Sequence, residues 1–450
     1  MMSQSPLLRW RILVCSGLLV FDSQQLSAGV LIDLGRYLVP TAVSTDGTSV
    51  VGLTNNFNQS PTGWFRWSQP HGAMVLPPPT YATGMQGPGP WINGDGTVLA
   101  WSTSPYYYYL WEWTPSGGLN DLGWPQEGSY EASLTAWGLS AEGSAIVGEA
   151  MFPQFSAADR TLWIRGFFWT RSGGFEPLKL LSSARAVSAD GNIIVGPAFD
   201  RGLGVGLMNR TKGFRGLGLP AGVIETNYIY RAESYALVPS GETLYYGTAS
   251  YGQTGRVSVF ARWSASASAW ERLDREPLPN FFQVTGTSSD GTLVVGTHRI
   301  GNEITDPSQG WIWRDGDGFQ NIRAFLTDRR VNASGWQITS CSGISGDGRT
   351  LIGRGLVTES SGYNALHGWV AILDDTVSGP PFEATPARAR PGIQLEVWTR
   401  AGLIYQLQRS RDGFTWYGVG DPFIGDGRTH RYYHLTDDPL GGHCRYVELP

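Results

Sequence analysis

Ser288-Ser289-Asp290-Gly291-Thr292-Leu293-Val294-Val295-Gly296 (SSDGTLVVG) decides how this chain is read, because the same phrase returns along most of its length. It recurs as Ser44–Gly52 (STDGTSVVG), Asn93–Trp101 (NGDGTVLAW), Ser140–Gly148 (SAEGSAIVG), Ser188–Gly196 (SADGNIIVG), Val238–Gly247 (VPSGETLYYG) and Ser345–Gly353 (SGDGRTLIG). Positions equivalent to the aspartate fall at 46, 95, 142, 190, 240, 290 and 347, in steps of 49, 47, 48, 50, 50 and 57 residues. A fixed period of that size marks a repeat architecture. Asp-Gly supplies the positive backbone angles of a two-residue hairpin, and the β-branched run behind it fits a buried, pleated surface.

Working outward, each unit carries an aromatic strand after a variable loop. Examples are Gly63-Trp64-Phe65-Arg66-Trp67, Leu110-Trp111-Glu112-Trp113, Gly166-Phe167-Phe168-Trp169, Phe260-Ala261-Arg262-Trp263 and Gly310-Trp311-Ile312-Trp313. Units four and seven degrade it to Gly206-Leu207-Met208-Asn209 and Gly368-Trp369-Val370-Ala371. A short polar turn and a fourth strand follow, as in Gly117-Gly118-Leu119-Asn120-Asp121-Leu122-Gly123. Four antiparallel strands repeated seven times describe an all-β fold, a seven-bladed β-propeller of about 48-residue repeats. The seventh unit stops at Asp375 without a fourth strand, whereas Gly29-Val30-Leu31-Ile32-Asp33-Leu34-Gly35 reads like one. Residues 29–35 are therefore expected to close the last blade and leave no open edge.

Residues 29–375 resemble the HAF-type extracellular repeat proteins of bacteria, whose units read S-x-D-G-x-x-V-V-G followed by an aromatic-Arg-Trp strand. The resemblance implies an exported propeller and says little about activity. Units two, four, five and seven depart from the pattern.

The rest of the chain divides as follows. Residues 1–28 place Arg9 and Arg11 ahead of the apolar run Ile12–Phe21 and end in Ser27 and Ala28, the layout of a secretory signal cleaved after Ala28. That apolar run is too short to span a bilayer, and no other run in the chain is long enough. Export, to the periplasm, the cell surface or the medium, is the expectation. Residues 29–375 form the propeller, 376–391 a Pro/Ala/Arg-rich linker, and 392–450 a small C-terminal β-sandwich with strands at Ile393–Trp398, Leu403–Gln408, Trp416–Val419 and Arg431–Tyr433. Its segment Leu403–Trp416 looks like tail modules of exported environmental bacterial proteins. Within it, Ser410–Trp416 is similar to the Asp-box hairpin of sialidase-like propellers, where the Asp stabilises a turn. Beyond Cys15 in the signal, Cys341 and Cys444 remain, and their spacing leaves pairing open.

Composition bounds function. With 33 basic and 38 acidic residues, a net charge of -5 and no basic block, a nucleic-acid surface or polybasic membrane patch is not expected. There is no H-E-x-x-H, G-x-S-x-G, phosphate-loop or paired C-x-x-C motif. The repeated Asp residues are read as hairpin residues and the repeated Trp residues as packing between blades. His71, His298, His367, His430, His434 and His443 are scattered, the last three as solvated surface, so no metal or other cofactor is expected.

With the Asp-Gly hairpins on one rim, the loops of variable length share the other, and function should lie there. The stretches are Leu53–Thr62, Ser102–Tyr109, Glu149–Arg165, Ala221–Arg231, Tyr251–Arg256 and Thr297–Gln309. Within them Tyr106, Tyr107, Arg160 and Trp163 are the candidate ligand-binding residues, joining flat apolar faces to polar edges. The expected function is a non-catalytic binding or interaction protein for polysaccharide or cell-surface components. The alternative is a glycoside hydrolase or polysaccharide lyase, which requires carboxylates, Tyr, His or Arg converging on the same rim. An autotransporter passenger fits less well, since no further stretch is long enough for a membrane barrel.

Overall fold

The computed structural model describes residues 29–373 apart from 56–60, 70, 77–88, 103–108, 126–133, 153–163, 224–230, 253–254, 275–277, 279–280, 300–306 and 360–361. Of the C-terminal part it describes five strands.

Seven four-stranded antiparallel sheets follow one another in a ring. From inner to outer strand, blade 1 is Leu38–Val43, Ser49–Asn55, Pro61–Ser68 and Gly72–Leu76, and blade 2 is Trp91–Ile92, Leu99–Ser102, Leu110–Thr114 and Gly118–Asp121. Blade 3 is Leu134–Leu139, Ala145–Met151, Ile164–Thr170 and Gly174–Leu178; blade 4 is Ala186–Val187, Ile193–Pro197, Val205–Asn209 and Gly213–Gly218. Blade 5 is Arg231–Leu237, Thr243–Gly252, Gly255–Ser264 and Ala269–Arg272; blade 6 is Gln283–Thr287, Leu293–Arg299, Ser308–Arg314 and Gly318–Asn321. Blade 7 takes Trp336–Ile344, Thr350–Thr358 and Asn364–Ile372 from its own unit, and its outer strand, Val30–Arg36, from the start of the propeller. Val30 pairs with Ile372 and Arg36 with His367, so the closure expected from the sequence is present.

The repeated phrase has a physical reason at each position. Ser44, Ser140, Ser188 and Ser345 have no exposed surface. In blade 4 the Ser188 hydroxyl donates to Asp190 Oδ1 at 2.6 Å and accepts from the Ile193 amide at 2.9 Å, while Asp190 Oδ1 also accepts from the Asn192 amide. Blades 1, 6 and 7 repeat this arrangement around Asp46, Asp290 and Asp347. In blade 2 Asn93 replaces the serine and its Oδ1 accepts from the Thr97 and Val98 amides. The aspartates thus lock hairpins, as read from the sequence. The closing glycine is required by space: a Cβ on Gly353 would stand 2.1 Å from the Ser340 carbonyl oxygen and 2.5 Å from the Trp369 ring.

Among the described residues apolar burial is divided among seven clusters, each shared by neighbouring blades. Val51, Trp64 and Leu76 of blade 1 pack with Ile92, Leu99, Trp101 and Trp111 of blade 2. Val50, Phe65 and Trp67 meet Ile352 and Val370 of blade 7, with Ile32 and Leu34 of the closing strand against them. The aromatic third strands are therefore interior packing, as expected. Backbone bonds between neighbouring hairpins, such as Asp46 N–H to Gly94 O, Gly94 N–H to Ala141 O and Gly346 N–H to Thr45 O, form a collar around the hairpin rim.

Three features differ from the sequence reading. A helix, Ile322–Asp328, joins blades 6 and 7, capped by Asn321 and burying Ile322, Phe325 and Leu326; it occupies the longest, 57-residue step. The stretch expected as a variable loop at Tyr251–Arg256 is instead mostly strand, with Tyr251 paired to Arg256 and Gly252 to Gly255. In the C-terminal part a fifth strand, His443–Leu449, joins Ile404–Ser410 and Tyr417–Ile424 in a three-stranded sheet, while Gly392–Trp398 pairs with Thr429–Leu435. Of the side chains in the expected sandwich, only Tyr405 and Gln406 fall within the described residues. Residues 1–28 and the 376–391 linker lie outside them, and no helix among those described is long and apolar enough to cross a membrane.

Candidate functional site

Tyr106, Tyr107, Arg160 and Trp163 lie outside the described residues. The polar groups that converge among the described ones do so in the central channel, which sequence reasoning missed.

The channel site grows out of a defect in the inner strands. Opposite the motif glycine, four of these strands shift register, between Pro40 and Ala42, Ala136 and Gly138, Val284 and Gly286, and Cys341 and Gly343. Such a β-bulge leaves one residue unpaired and re-aims its side chain. The bulged residues Thr41, Trp137, Thr285 and Ser342 all line the channel. Each stands three positions before its motif residue, Ser44, Ser140, Ser288 or Ser345. The same position in blades 4 and 5 holds Arg185 and Tyr235, also on the wall; in blade 2 it is Pro90, and the adjacent Trp91 lines the channel instead. A position whose identity changes from unit to unit while its surroundings repeat was a readable signal.

Together they enclose a cavity of about 420 Å³, within the ~300–1,000 Å³ range of small-molecule pockets. Some of its groups hold the ring together. Thr41 Oγ1 donates to Pro90 O at 2.8 Å, Trp91 Nε1 to Ala136 O at 3.1 Å and Thr285 Oγ1 to Cys341 O at 2.8 Å, each bond crossing to the next blade. Arg185 lies over the Trp137 ring at 3.7 Å and reaches Glu149 at 3.4 Å, so stacking and a carboxylate fix its plane. Glu233 accepts from the Tyr235 hydroxyl at 2.6 Å and the Tyr246 hydroxyl at 2.9 Å. Arg354 follows the motif glycine of blade 7 and lines the same cavity; burial lowers its pKa, because the charged form loses hydration there. Cys341 is a free, fully buried thiol, and burial pushes its pKa up to about 12. It is therefore protonated and a poor nucleophile or metal ligand.

A second recess, about 580 Å³, lies between blades 5 and 6 over Phe282, Trp311 and Phe319. Its charged groups are largely committed: Glu271 to Arg262, Arg272 to Asp274 and Asp317 to Arg314. Its floor belongs to aromatic packing, with Phe282 stacked on Trp311 at 4.5 Å. Among the described residues no three His, Cys, Asp or Glu side chains converge as for a metal ion.

No protein-family model and no curated protein sequence matches the chain, so the HAF resemblance rests on the repeat wording alone. Among solved structures, an oligogalacturonate lyase in complex with manganese superposes with a TM-score of 0.48 at 13% identity, covering 79% of this chain and 97% of that one. Kuenenia stuttgartiensis hydrazine synthase gives 0.41 at 11%, covering 78% and 98%. The Dos1 propeller gives 0.41 at 11%, covering 77% and 94%. Likeness at this level bears on neither ligand nor activity.

Proposed function

We propose that the protein is an exported, non-catalytic binding protein that takes a saccharide, free or as part of a cell-surface polymer, into the channel on the side of the variable loops. One observation carries this reading: the blades deliver varied side chains to the channel from one fixed repeat position, among them Thr41, Trp137, Arg185, Tyr235, Thr285 and Ser342. Aromatic faces beside hydroxyls and a guanidinium suit a ligand with apolar ring faces and hydroxyl edges. Export is supported by the layout of residues 1–28.

A second reading, a glycoside hydrolase or polysaccharide lyase, draws on the convergence it requires: Glu233, Tyr235 and Arg354 all line the channel. One experiment separates the two. The full-length chain is incubated with a panel of soluble polysaccharides, following both depletion of protein onto polymer and release of sugar ends. Depletion without new ends, reduced in Arg185→Ala, supports the binding protein. New ends lost in Glu233→Gln establish the enzyme, and silence in both channels overturns a saccharide ligand. Export is tested separately: the protein recovered outside the cytoplasm should begin at Gly29, and a chain retained inside with residue 1 intact refutes it.

A further inference from the structure

We infer that the ligand of the channel is acidic, and that Arg354 seats its oxyanion. This deepens the proposed function and rests on the channel being the binding site.

The other charged groups of the channel are already committed. Arg185 has Glu149 as counter-charge and Trp137 beneath it. Both oxygens of Glu233 accept phenol hydrogen bonds, from Tyr235 and Tyr246. Arg354 differs. Among the described residues its guanidinium has neither a hydrogen-bond acceptor nor an ion-pair partner, and the hydrogen bonds of this residue are backbone ones, its amide to Ser340 Oγ and its carbonyl from Thr339 Oγ1.

Such a group is costly for the fold alone. A half-buried arginine in this setting gives up part of its hydration and gains no protein partner in return. Its place is set by rigid parts: Arg354 sits mid-strand in Thr350–Thr358, paired opposite Ser340 on one side and Gly368 on the other. Five N–H donors in a planar fork match two oxygens of a carboxylate or sulfate, and partial burial strengthens that bond. Gln283, Ser308 and Ser342 on the same wall are polar groups suited to the hydroxyls of an acidic sugar. Among the described residues the one carboxylate on the wall, Glu233, belongs to blade 5, with blade 6 between it and Arg354.

The test is calorimetric titration of the full-length chain with three sets of oligosaccharides of equal length. These are uronate trimers, the same trimers with carboxyls reduced to alcohols, and sulfated neutral trimers. The expected result is binding of the uronate or the sulfated set at least tenfold tighter than the reduced set, weakened by salt. Which acidic set wins identifies the oxyanion. Arg354→Met should cost that set about 10- to 100-fold, the range of a charge-assisted hydrogen bond, and leave the reduced set unchanged. Its melting temperature should hold or rise, because the guanidinium has no protein partner to lose. Equal binding of acidic and reduced trimers, an acidic preference that survives Arg354→Met, or a clear fall in melting temperature overturns the inference and leaves a neutral-saccharide reading standing. Absence of binding in all three sets and in the panel of soluble polysaccharides overturns that reading as well.

Discussion

Asp33 and His367, 334 residues apart in sequence, meet diagonally across the strand pair that closes the ring, with imidazole Nδ1 2.9 Å from the carboxylate Oδ1. Removing Val30–Arg36 takes away this contact and uncovers the edge of Asn364–Ile372 together with the apolar surface covered by Leu31, Ile32 and Leu34. At ~1.5–3 kcal/mol per fully buried aliphatic side chain, three half-buried ones and a lost ladder give an expected destabilisation of about 3–5 kcal/mol. Urea unfolding measures it, and gel filtration should show self-association through the bared edge. Asp33→Asn alone should cost under about 1 kcal/mol, as for an exposed pair.

Ser188→Ala should cost about 1–2 kcal/mol, because the Ile193 amide then lacks its side-chain acceptor in a part-buried hairpin and Asp190 loses its hydroxyl donor. Equilibrium unfolding of the variant checks this; an unchanged midpoint would mean that the serine is not what locks the hairpin.

Acid should weaken the fold through the same hairpins. The Ser188 hydroxyl holds the Asp190 carboxyl below its ordinary value of 3.8, as the Thr97 hydroxyl does for Asp95. Burial raises Asp290, but bonds from Ser288 and Thr292 outweigh it and leave its pKa lowered too. A depressed folded pKa stabilises fully above the unfolded value and less as pH falls through the folded one. The urea midpoint should thus fall below about pH 4, and the gap between wild type and Asp190→Asn should narrow there.

Gly353→Ala should cost about 3 kcal/mol or more, since the new methyl meets the Ser340 carbonyl and the Trp369 ring, both held by packing. Gly362→Ala is a counterpart with no neighbour within 4 Å but a positive φ of 81°, so its penalty is backbone strain of about 1 kcal/mol. Melting temperatures of the two should differ in that order.

Cys341 should not react with an aromatic disulfide reagent at pH 8 while the protein is folded, and should react fully in denaturant. Rapid labelling of Cys341 in the native protein would contradict its burial.

How much of this was readable depends on what repeats. The hairpin phrase and the aromatic strand were legible because each solves the same local problem in most units: Ser188 and Asp190 bond to the turn they flank, and Gly353 makes room for Trp369. Strand Val30–Arg36 was legible because its wording matched a fourth strand missing elsewhere. The channel was not, because a binding position is where the units differ, and Trp137, Arg185 and Tyr235 have nothing in common except their register. Helix Ile322–Asp328 was hidden for another reason: with seven residues and three buried side chains, its periodicity is too short to stand out beside strand wording. Tyr106, Tyr107, Arg160 and Trp163 were singled out by aromatic and cationic chemistry without register, and they lie outside the described residues.

The closing strand also sets an order of events during synthesis. Residues 30–36 leave the ribosome near the start of the propeller, but their partner Asn364–Ile372 follows more than 300 residues later. At ~5–20 residues per second the wait is roughly 20–70 s. Until then no partial propeller can close, and the apolar side of the early strand needs temporary shelter. A circular permutant that begins at Trp336 and carries Val30–Arg36 directly after Ile372 would shorten that wait to the making of a single blade.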